Sequence, residues 1–219
     1  MPQDSGYPRR ILVVDDHPIV RYGVRQLIDA EPGLAVCGEA DSAASALAFA
    51  QSSRPEVVLV DLSLLESSGL SLIRELSGSA PEVRVLVLSM HDEAHFAERA
   101  LRAGARGYIM KQEAIAGLVH AIRVVLSGRI YVSETVAQGV LERIGNPERF
   151  PVGSLAALTD RELEVFELIG RGRSTAAIAR HLGVSVKTIE TYRANIKTKF
   201  NLQDATDLVR YATSWTQHF

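Results

Sequence analysis

The feature that most constrains the fold is a regular alternation between short apolar runs and helical patterns across residues 10–127. The apolar runs are ILVV (11–14), LAVCGEA (34–40), EVVLV (56–60), VRVLVLS (83–89) and GYIM (107–110). Between these runs, apolar residues recur with the period of an α-helix. Parallel strands need helical crossovers and are covered on both faces, so near-continuous apolar strands are typical of them. The pattern predicts an α/β fold with a doubly wound, five-stranded parallel sheet.

From about residue 128 onward, the strand pattern gives way to helical segments. The stretch GNPERFPVGS (145–154) has the Gly, Pro and polar residues typical of a linker. The TDRE motif (159–162) is a capping box that starts a helix, and three further helical segments follow it. We therefore expect an α/β domain over residues 8–128, a helical linker over 129–154 and a small all-α domain of four helices over 155–219.

Composition narrows the class of protein further. Of the 219 residues, 47% are apolar, which is enough for a sizeable core. The single cysteine, Cys37, excludes a disulfide framework. The first ten residues lack the apolar stretch of a signal peptide, and no run approaches the ~18 apolar residues of a membrane span. We expect a cytoplasmic protein without a membrane partner.

Polar and charged side chains stand where the predicted strands end. The first strand runs into Asp15 and Asp16, the third ends at Asp61, the fourth at Ser89 and the fifth at Lys111. In a parallel sheet, ligands bind beyond the carboxyl ends of the strands. Three carboxylates that meet in one crevice repel one another and need a cation. An all-oxygen site suits Mg²⁺, which often shares its ligand shell with phosphate.

The same residues can carry phosphoryl-transfer chemistry. Asp61 is the natural nucleophile, because a carboxylate can accept a phosphoryl group and form an acyl phosphate. The metal ion, Lys111 and the Ser89 hydroxyl would neutralise the transferred oxygens. Taken singly, an aspartate at a strand end is more often a helix cap or a solvated loop residue. The joint placement at four strand ends favours a functional cluster.

Charge is distributed unevenly along the chain. The net charge is −2 overall, +2 over residues 155–219 and −4 over the residues before them. Residues 171–199 hold seven Lys and Arg residues and one acidic residue, Glu190. Such a block is either an electrostatic footprint for nucleic acid or an ordinary solvated face.

The third helical segment of the C-terminal part, over residues 185–200, has one apolar stripe and one polar, basic face. Its expected core residues are Ile189, Tyr192, Ile196 and Phe200. A short helix and a turn at Gly183 precede it, which is a helix-turn-helix pattern. The alternative is an ordinary helical bundle with a charged surface. The candidate DNA contacts are Lys187, Glu190, Thr191, Arg193, Ala194, Lys197 and Lys199.

Four motifs over residues 10–127 resemble the receiver domain of bacterial two-component response regulators: VVDDH, VLVDLSLLESSGL, VLVLS and GARGYIMK. The resemblance implies the flavodoxin-like strand order 2-1-3-4-5 and a histidine kinase partner that phosphorylates Asp61. It also implies that Ser63 and His91 tune the lifetime of the acyl phosphate. The Mg²⁺ ligands that it implies are Asp15, Asp16, Asp61 and the backbone carbonyl of Ser63. The implied switch group is Ser89, Lys111 and Tyr108.

The stretch LTDRELEVFELIGRGRSTAAIARHLGVSVKTIETYRANIKTKF is similar to the LuxR-type DNA-binding domain, and the whole chain resembles NarL/FixJ-type response regulators. The resemblance implies a transcription regulator that is not primarily an enzyme and whose phosphorylation controls binding to double-stranded operator DNA. In that family the fourth helix dimerises, which implies a homodimer in the active state. The dimer candidates are Ala205, Leu208, Val209 and Ala212.

Three positions depart from the family pattern. Leu65 and Gln112 stand where prolines are common, and Phe200 stands where leucine is common. None of these changes removes a chemical group. Two alternative functions are a receiver that works as an unphosphorylated protein-interaction module and a phosphate-handling α/β enzyme. The lack of a P-loop or G-x-G-x-x-G motif argues against the enzyme.

Overall fold

The computed structural model describes residues 7–64, 68–145 and 155–216. The chain forms two compact units, divided between Leu141 and Glu142. Leu65 and residues 146–154 of the predicted linker lie outside the described residues.

Within its described residues, the first unit contains one five-stranded parallel sheet in the order β2-β1-β3-β4-β5. The predicted fold class and strand order are confirmed. The strands are β1 (Arg9–Val14), β2 (Leu34–Ala40), β3 (Val57–Val60), β4 (Arg84–Ser89) and β5 (Gly107–Met110). The helices are α1 (Pro18–Asp29), α2 (Ala43–Ser53), α3 (Gly69–Ser79), α4 (Glu93–Ala103) and α5 (Ala114–Leu126). A sixth helix, α6 (Glu134–Gly145), begins in the first unit and contains the boundary between the units.

The central strands are buried on both faces, as their continuous apolar sequences predict. Every residue of β3 is buried, and so are the last four residues of β1. One face of the sheet shares a core with α1 and α5, to which Ile28, Leu118 and Ile122 contribute. Because the strands are parallel, the carboxyl ends of β1, β3, β4 and β5 meet at one edge of the sheet.

The chain continues past α5 along the outer edge of β5. The Tyr131 N–H donates to the Arg106 carbonyl (3.0 Å), and the Tyr108 N–H donates to the Tyr131 carbonyl (2.9 Å). The Ser133 hydroxyl then donates to the Glu93 carboxylate (2.5 Å) at the start of α4. The first residues of the predicted linker are therefore attached to the sheet of the first unit.

From Asp160 to Thr216, the second unit is the predicted bundle of four helices. These are α7 (Asp160–Gly170), α8 (Thr175–His181), α9 (Val186–Phe200) and α10 (Ala205–Thr216). The predicted capping box starts α7: Thr159 Oγ1 accepts from the Glu162 N–H (3.3 Å), and the Glu162 carboxylate accepts from the Thr159 N–H (2.8 Å).

Aromatic rings fill the centre of this bundle. The Phe166 ring lies within 5.9 Å, centroid to centroid, of the rings of Phe200, Tyr211 and Trp215. Gly183 between α8 and α9 has a positive φ of 65°, a conformation that suits glycine at the end of a helix. The two helices and this turn form the predicted helix-turn-helix. Among the described residues, no helix has the length and apolar character needed to cross a membrane.

Candidate functional site

The carboxylates come together because β1 and β3 are neighbours in the sheet. Asp15 follows β1 and Asp61 follows β3, and the Asp61 N–H donates to the Val14 carbonyl (2.9 Å). Both side chains are almost completely buried. At the start of α3, a Cβ on Gly69 would lie 2.5 Å from the Asp61 carbonyl oxygen, so glycine allows α3 to approach the backbone of the site.

Lys111 joins the cluster from the end of β5. Its Nζ lies 2.8 Å from Asp61 Oδ2 and 2.7 Å from Asp15 Oδ2. The Asp16 side chain is only 5% exposed, and its Oδ1 lies 2.7 Å from His17 Nδ1. One ligand atom from each of Asp15, Asp16, His17 and Asp61 lies within 4.8 Å of the others. The structure therefore brings together the three aspartates and the lysine that the sequence predicted.

Burial and charge together set the protonation of the cluster. Burial raises the pKa of Asp61, the charge of Lys111 opposes this rise, and the Asp15 carboxylate adds to it. Burial alone would lower the pKa of Lys111, but the Asp61 and Asp15 carboxylates outweigh burial and raise it. Lys111 is therefore an ammonium ion. Its positive charge lies beside the side chains of Asp15 and Asp61.

This donor set fits Mg²⁺. The carboxylates offer only oxygen atoms, which hard cations prefer, and they leave room for water and phosphate ligands. Ser63, two residues after Asp61, donates its backbone N–H to Asp61 Oδ1 (3.2 Å). The Ser63 carbonyl as a metal ligand stays a prediction.

The predicted switch residues Ser89 and Tyr108 lie on β4 and β5, and both are fully buried. The Tyr108 hydroxyl donates to the His91 carbonyl (2.8 Å), and the His91 N–H donates to Ser89 Oγ (3.2 Å). Burial raises the pKa of Tyr108 far above its ordinary value, so the phenol keeps the proton that it donates. Ser89 and Tyr108 are thus linked through the loop that follows β4.

A second pair of side chains bridges the loops after β3 and β4. Ser63 Oγ and His91 Nε2 are 2.8 Å apart, and the His91 ring stacks on Phe96 with a centroid distance of 4.4 Å. The sequence indicates that both residues lie near the acyl phosphate, but not that they touch. Their positions are 28 residues apart in the chain, and neither position alone carries a signal for the contact.

Two residues that the sequence analysis did not identify support the loop between β1 and α1. The His17 N–H donates to Asp15 Oδ1 (2.8 Å), and Arg21 Nη1 donates to the Asp15 carbonyl (2.6 Å). The sequence offers one weak indication of the Arg21 contact. Arg21 lies four positions after His17, the N-cap of α1, and therefore one helical turn further along the same face.

The α9 helix has the two faces that its sequence predicts. Ile189, Ile196 and Phe200 are buried and Tyr192 is half-buried. Of the candidate DNA contacts, Lys187, Glu190, Thr191 and Ala194 are exposed, whereas Arg193 and Lys197 are half-buried. The polar face is therefore open to a ligand over the N-terminal and central turns of the helix.

Lys199 has a partner inside its own unit. Its Nζ lies 2.6 Å from Oε2 of Glu162, the buried carboxylate of the α7 capping box. This ion pair joins the last turn of α9 to the first turn of α7. Lys199 therefore has a structural role beyond its predicted DNA contact.

The structure corrects two of the four predicted dimer residues. Leu208 and Ala212 have no exposed surface and belong to the core that α10 shares with α7 and α9. A side chain without exposed surface cannot contact a second chain, so the prediction is wrong for these two. Ala205 and Val209 lie on the exposed side of α10 and stay candidates.

Each of the two units matches a known protein family. Residues 11–123 match the response regulator receiver domain, and residues 156–212 match the LuxR family of bacterial regulatory proteins. The chain belongs to the response regulators. Among relatives of this response regulator, UvrY of Escherichia coli K12 is 32% identical over 202 residues, which span 92% of each chain.

Two further comparisons cover nearly the whole response regulator. The transcriptional regulatory protein MctR of Rhizobium johnstonii is 34% identical over 203 residues, which span 93% of this chain and 92% of MctR. RcsB of Salmonella enterica serovar Typhimurium, in a structure bound to a promoter in the presence of a phosphomimetic, is 25% identical with a TM-score of 0.74. That comparison covers 94% of this chain and 98% of RcsB.

Membership of this family confirms that the response regulator belongs with transcription regulators and not with enzymes. The alternative of a phosphate-handling enzyme is therefore wrong. The roles of individual residues in the two units stay predictions.

Proposed function

We propose that phosphorylation of Asp61 switches this response regulator and controls its binding to double-stranded DNA. The observation that carries the proposal is the buried Asp61 carboxylate, whose Oδ2 lies 2.8 Å from Lys111 Nζ beside two further aspartates. Such an arrangement provides a nucleophilic oxygen and the positive charge that a transferred phosphoryl group requires.

The phosphoryl donor would be a phosphohistidine of a sensor kinase. An Asp61 oxygen attacks the phosphorus, the P–N bond of the donor breaks with its electron pair returning to the imidazole, and the P–O bond of an acyl phosphate forms. Mg²⁺, held by the aspartates at positions 15, 16 and 61, would supply charge neutralisation at the phosphoryl oxygens. The Lys111 ammonium group adds a second positive charge, and the Ser89 hydroxyl adds a hydrogen bond.

The acyl phosphate would alter the loop after β4 through Ser89. If the Ser89 hydroxyl donates to a phosphoryl oxygen, its lone pairs are reoriented and the hydrogen bond from the His91 N–H changes. The same residue, His91, accepts from the Tyr108 hydroxyl through its carbonyl. Ser89 and Tyr108 would therefore respond to phosphorylation together.

DNA would be read by α9. Its exposed residues include Lys187 and Glu190, in a unit with a net charge of +2 over residues 155–219. Basic side chains neutralise phosphates and supply affinity, whereas contacts to base edges supply specificity. The promoter complex of RcsB supports this role. The kinase and the DNA are both partners of a cytoplasmic protein, which is the proposed location.

A homodimer would allow two copies of α9 to contact two half-sites of an operator. The exposed α10 residues Ala205 and Val209 are the remaining candidates for this contact. Val209 is a large apolar side chain that is 41% exposed.

The test is Mg²⁺-dependent uptake of phosphate from a radiolabelled small phosphodonor such as acetyl phosphate. Asp61→Asn should abolish hydroxylamine-sensitive label, whereas Asp41→Asn, at an exposed aspartate after β2, should not. Undiminished labelling of the Asp61→Asn protein would contradict the assignment of the acceptor. A wild-type protein that takes up no phosphate would favour the protein-interaction module instead.

A further inference from the structure

Arg21 connects the loop that carries Asp15 and Asp16 to the neighbouring strand β2. Its Nη1 donates to the Asp15 carbonyl oxygen (2.6 Å), and its Nε donates to Glu39 Oε2 (3.2 Å). The Arg21 side chain is 17% exposed and that of Glu39 is 30% exposed, so both groups are mostly shielded from water. One planar guanidinium thus spans the backbone of the carboxylate loop and an anchor on the sheet.

Glu39 is itself firmly held. It lies on β2 opposite Val13 of β1. Arg25, one helical turn after Arg21, donates to the other oxygen of the same carboxylate (2.6 Å). These hydrogen bonds, the one from Arg25 first, lower the pKa of Glu39 and keep it ionised at neutral pH. Glu39 is therefore a stable anchor for Arg21.

The position of Asp15 matters more than that of an ordinary loop residue. Mg²⁺ demands near-octahedral geometry, so small displacements of its ligands weaken binding. Groups that orient a metal ligand from outside typically change metal affinity by about 10- to 100-fold when they are removed. The Arg21 hydrogen bond acts on the Asp15 backbone, where a displacement would move Asp15 and the adjacent Asp16 together.

We propose that Arg21 is a positioning residue for the Mg²⁺ site: its hydrogen bond to the Asp15 carbonyl holds the two adjacent aspartates in the geometry that binds the ion. The inference rests on the Mg²⁺ site of the proposed function. The sign of the effect distinguishes positioning from charge. A guanidinium repels a cation, so removal of its charge alone would strengthen Mg²⁺ binding, whereas loss of positioning weakens it.

The experiment titrates the full chain with MgCl₂ by calorimetry and compares Arg21→Gln with Arg25→Gln. Each variant removes one positive charge and one partner of Glu39, but only Arg21 donates to Asp15. The Arg21→Gln protein should bind Mg²⁺ about tenfold more weakly or worse. The Arg25→Gln protein keeps the hydrogen bond from Arg21 to Asp15, so it should bind Mg²⁺ clearly more tightly than Arg21→Gln, with at most a small loss relative to the wild type.

Phosphate uptake from acetyl phosphate gives a second readout that a purely structural role would not produce. The Mg²⁺ concentration that gives half-maximal uptake should rise for Arg21→Gln. The uptake rate at saturating Mg²⁺ should stay near that of the wild type, because Arg21 donates to the Asp15 backbone and to Glu39 and not to the acceptor Asp61.

A charge-conserving pair, Arg21→Lys and Arg25→Lys, keeps the test decisive if Arg21→Gln does not fold. An ammonium group cannot donate in the planar fork that joins Asp15 to Glu39, so Arg21→Lys should also weaken Mg²⁺ binding several-fold. Wild-type affinity in the folded Arg21 variants would overturn the inference, and so would equal weakening in the Arg21 and Arg25 variants. A wild-type protein that binds no Mg²⁺ would overturn the metal site of the proposed function, and the inference with it.

Discussion

The Asp61 carboxylate must be charged to act as a nucleophile, yet it is buried beside Asp15. Burial raises its folded-state pKa above the value in the unfolded chain. Ionisation therefore destabilises the folded protein as pH rises through the interval between the unfolded and folded pKa values, and at neutral pH the penalty persists. The charge that the proposed chemistry needs thus lowers the stability of the first unit.

Asp61→Asn should raise the midpoint of thermal unfolding of the first unit by a few degrees at pH 7 in Mg²⁺-free buffer. Differential scanning calorimetry of the full chain measures this midpoint. At about pH 3 the difference should shrink, because most carboxylates are then protonated in both proteins. A lower midpoint for the variant at pH 7 would mean that the ion pair with Lys111 outweighs burial.

The Ser63–His91 contact leads to a prediction about signal lifetime. The pair closes the space between the loops after β3 and β4, and the His91 ring is fixed by stacking on Phe96. Replacement of both Ser63 and His91 by Ala should accelerate loss of phosphate from Asp61 several-fold, because water gains access to the acyl phosphate. Uptake of phosphate should be retained. The measurement is the decay of label after removal of the phosphodonor, and an unchanged rate would reject the role.

Among strands and helices, the periodic elements are predictable because periodicity is a local property of the chain. Each of the five apolar runs matches its strand to within two residues at either end. The pairing of Tyr131 with the edge of β5 is not predictable, since one bridged residue has no period. The error in the dimer residues has a related cause. The resemblance identifies the helix that dimerises but not which of its faces is exposed. Leu208 and Ala212 are four positions apart and lie on the buried face.

In the candidate site, too, the residues placed by the strand pattern could be predicted, whereas contacts that depend on packing could not. The ends of neighbouring parallel strands coincide in space, so Asp15, Asp61 and Lys111 could be placed together from sequence alone. The contact of Arg21 with the Asp15 carbonyl could not, because it depends on how α1 packs against β2. The Glu162–Lys199 pair joins residues 37 positions apart and likewise depends on packing.

This last pair allows a stability prediction for the helical unit. Burial alone would raise the pKa of Glu162, but hydrogen bonds from Lys199 and Thr159 outweigh it and lower the pKa. Lys199→Met leaves the buried carboxylate without its cation and should destabilise the unit by about 1–3 kcal/mol at pH 7. Denaturant unfolding followed by fluorescence of the single tryptophan, Trp215, reports on this unit.

The pH dependence provides the check. A lowered folded-state pKa means that the stabilisation is present above the unfolded pKa of Glu162 and is lost as pH falls through the folded pKa. The difference between wild type and Lys199→Met should therefore shrink in acid. Lys197→Met, on the same helix, is the matched control and should unfold like the wild type. A pH-independent difference would assign the effect to lost packing of the Lys199 side chain.

The α9 face allows a prediction about DNA reading. Glu190 is exposed in a basic stretch, and a carboxylate near phosphates is unfavourable unless it accepts a hydrogen bond, for example from the N4 amino group of cytosine. Glu190→Ala should reduce the binding free-energy difference between the preferred base pair and the others at one operator position by about 1–3 kcal/mol. Lys197→Ala should weaken binding to all DNA sequences alike. The slope of the logarithm of the binding constant against the logarithm of the salt concentration should become shallower by about one unit.

A panel of operators with single-base changes separates these two effects. An unchanged preference profile for Glu190→Ala would mean that the carboxylate only forms a surface ion pair with Arg193 or Lys187. Base reading would then belong to Lys187, Thr191 and Ala194.

Across the complete chain, the two units have separate cores and can be tested apart. The first carries the proposed phosphorylation site and the second the proposed DNA face, so control of binding requires an effect of phosphorylation in one unit on the other. One way is occlusion of α9 in the unphosphorylated protein, released by phosphorylation. A fragment from Gly153 onward should then bind an operator without phosphate and more tightly than the unphosphorylated full chain.

Fluorescence anisotropy with one labelled operator compares the fragment, the full chain and the full chain treated with acetyl phosphate and Mg²⁺. Occlusion predicts that phosphorylation raises the operator affinity of the full chain to at least that of the fragment. The Asp61→Asn protein, treated in the same way, should keep the weaker affinity of the unphosphorylated chain. Equal affinity of the fragment and the unphosphorylated chain would argue against occlusion. In that case dimerisation is the remaining switch, and sedimentation should show a shift from monomer to dimer on phosphorylation that a charged substitution at the exposed α10 position, Val209→Glu, prevents.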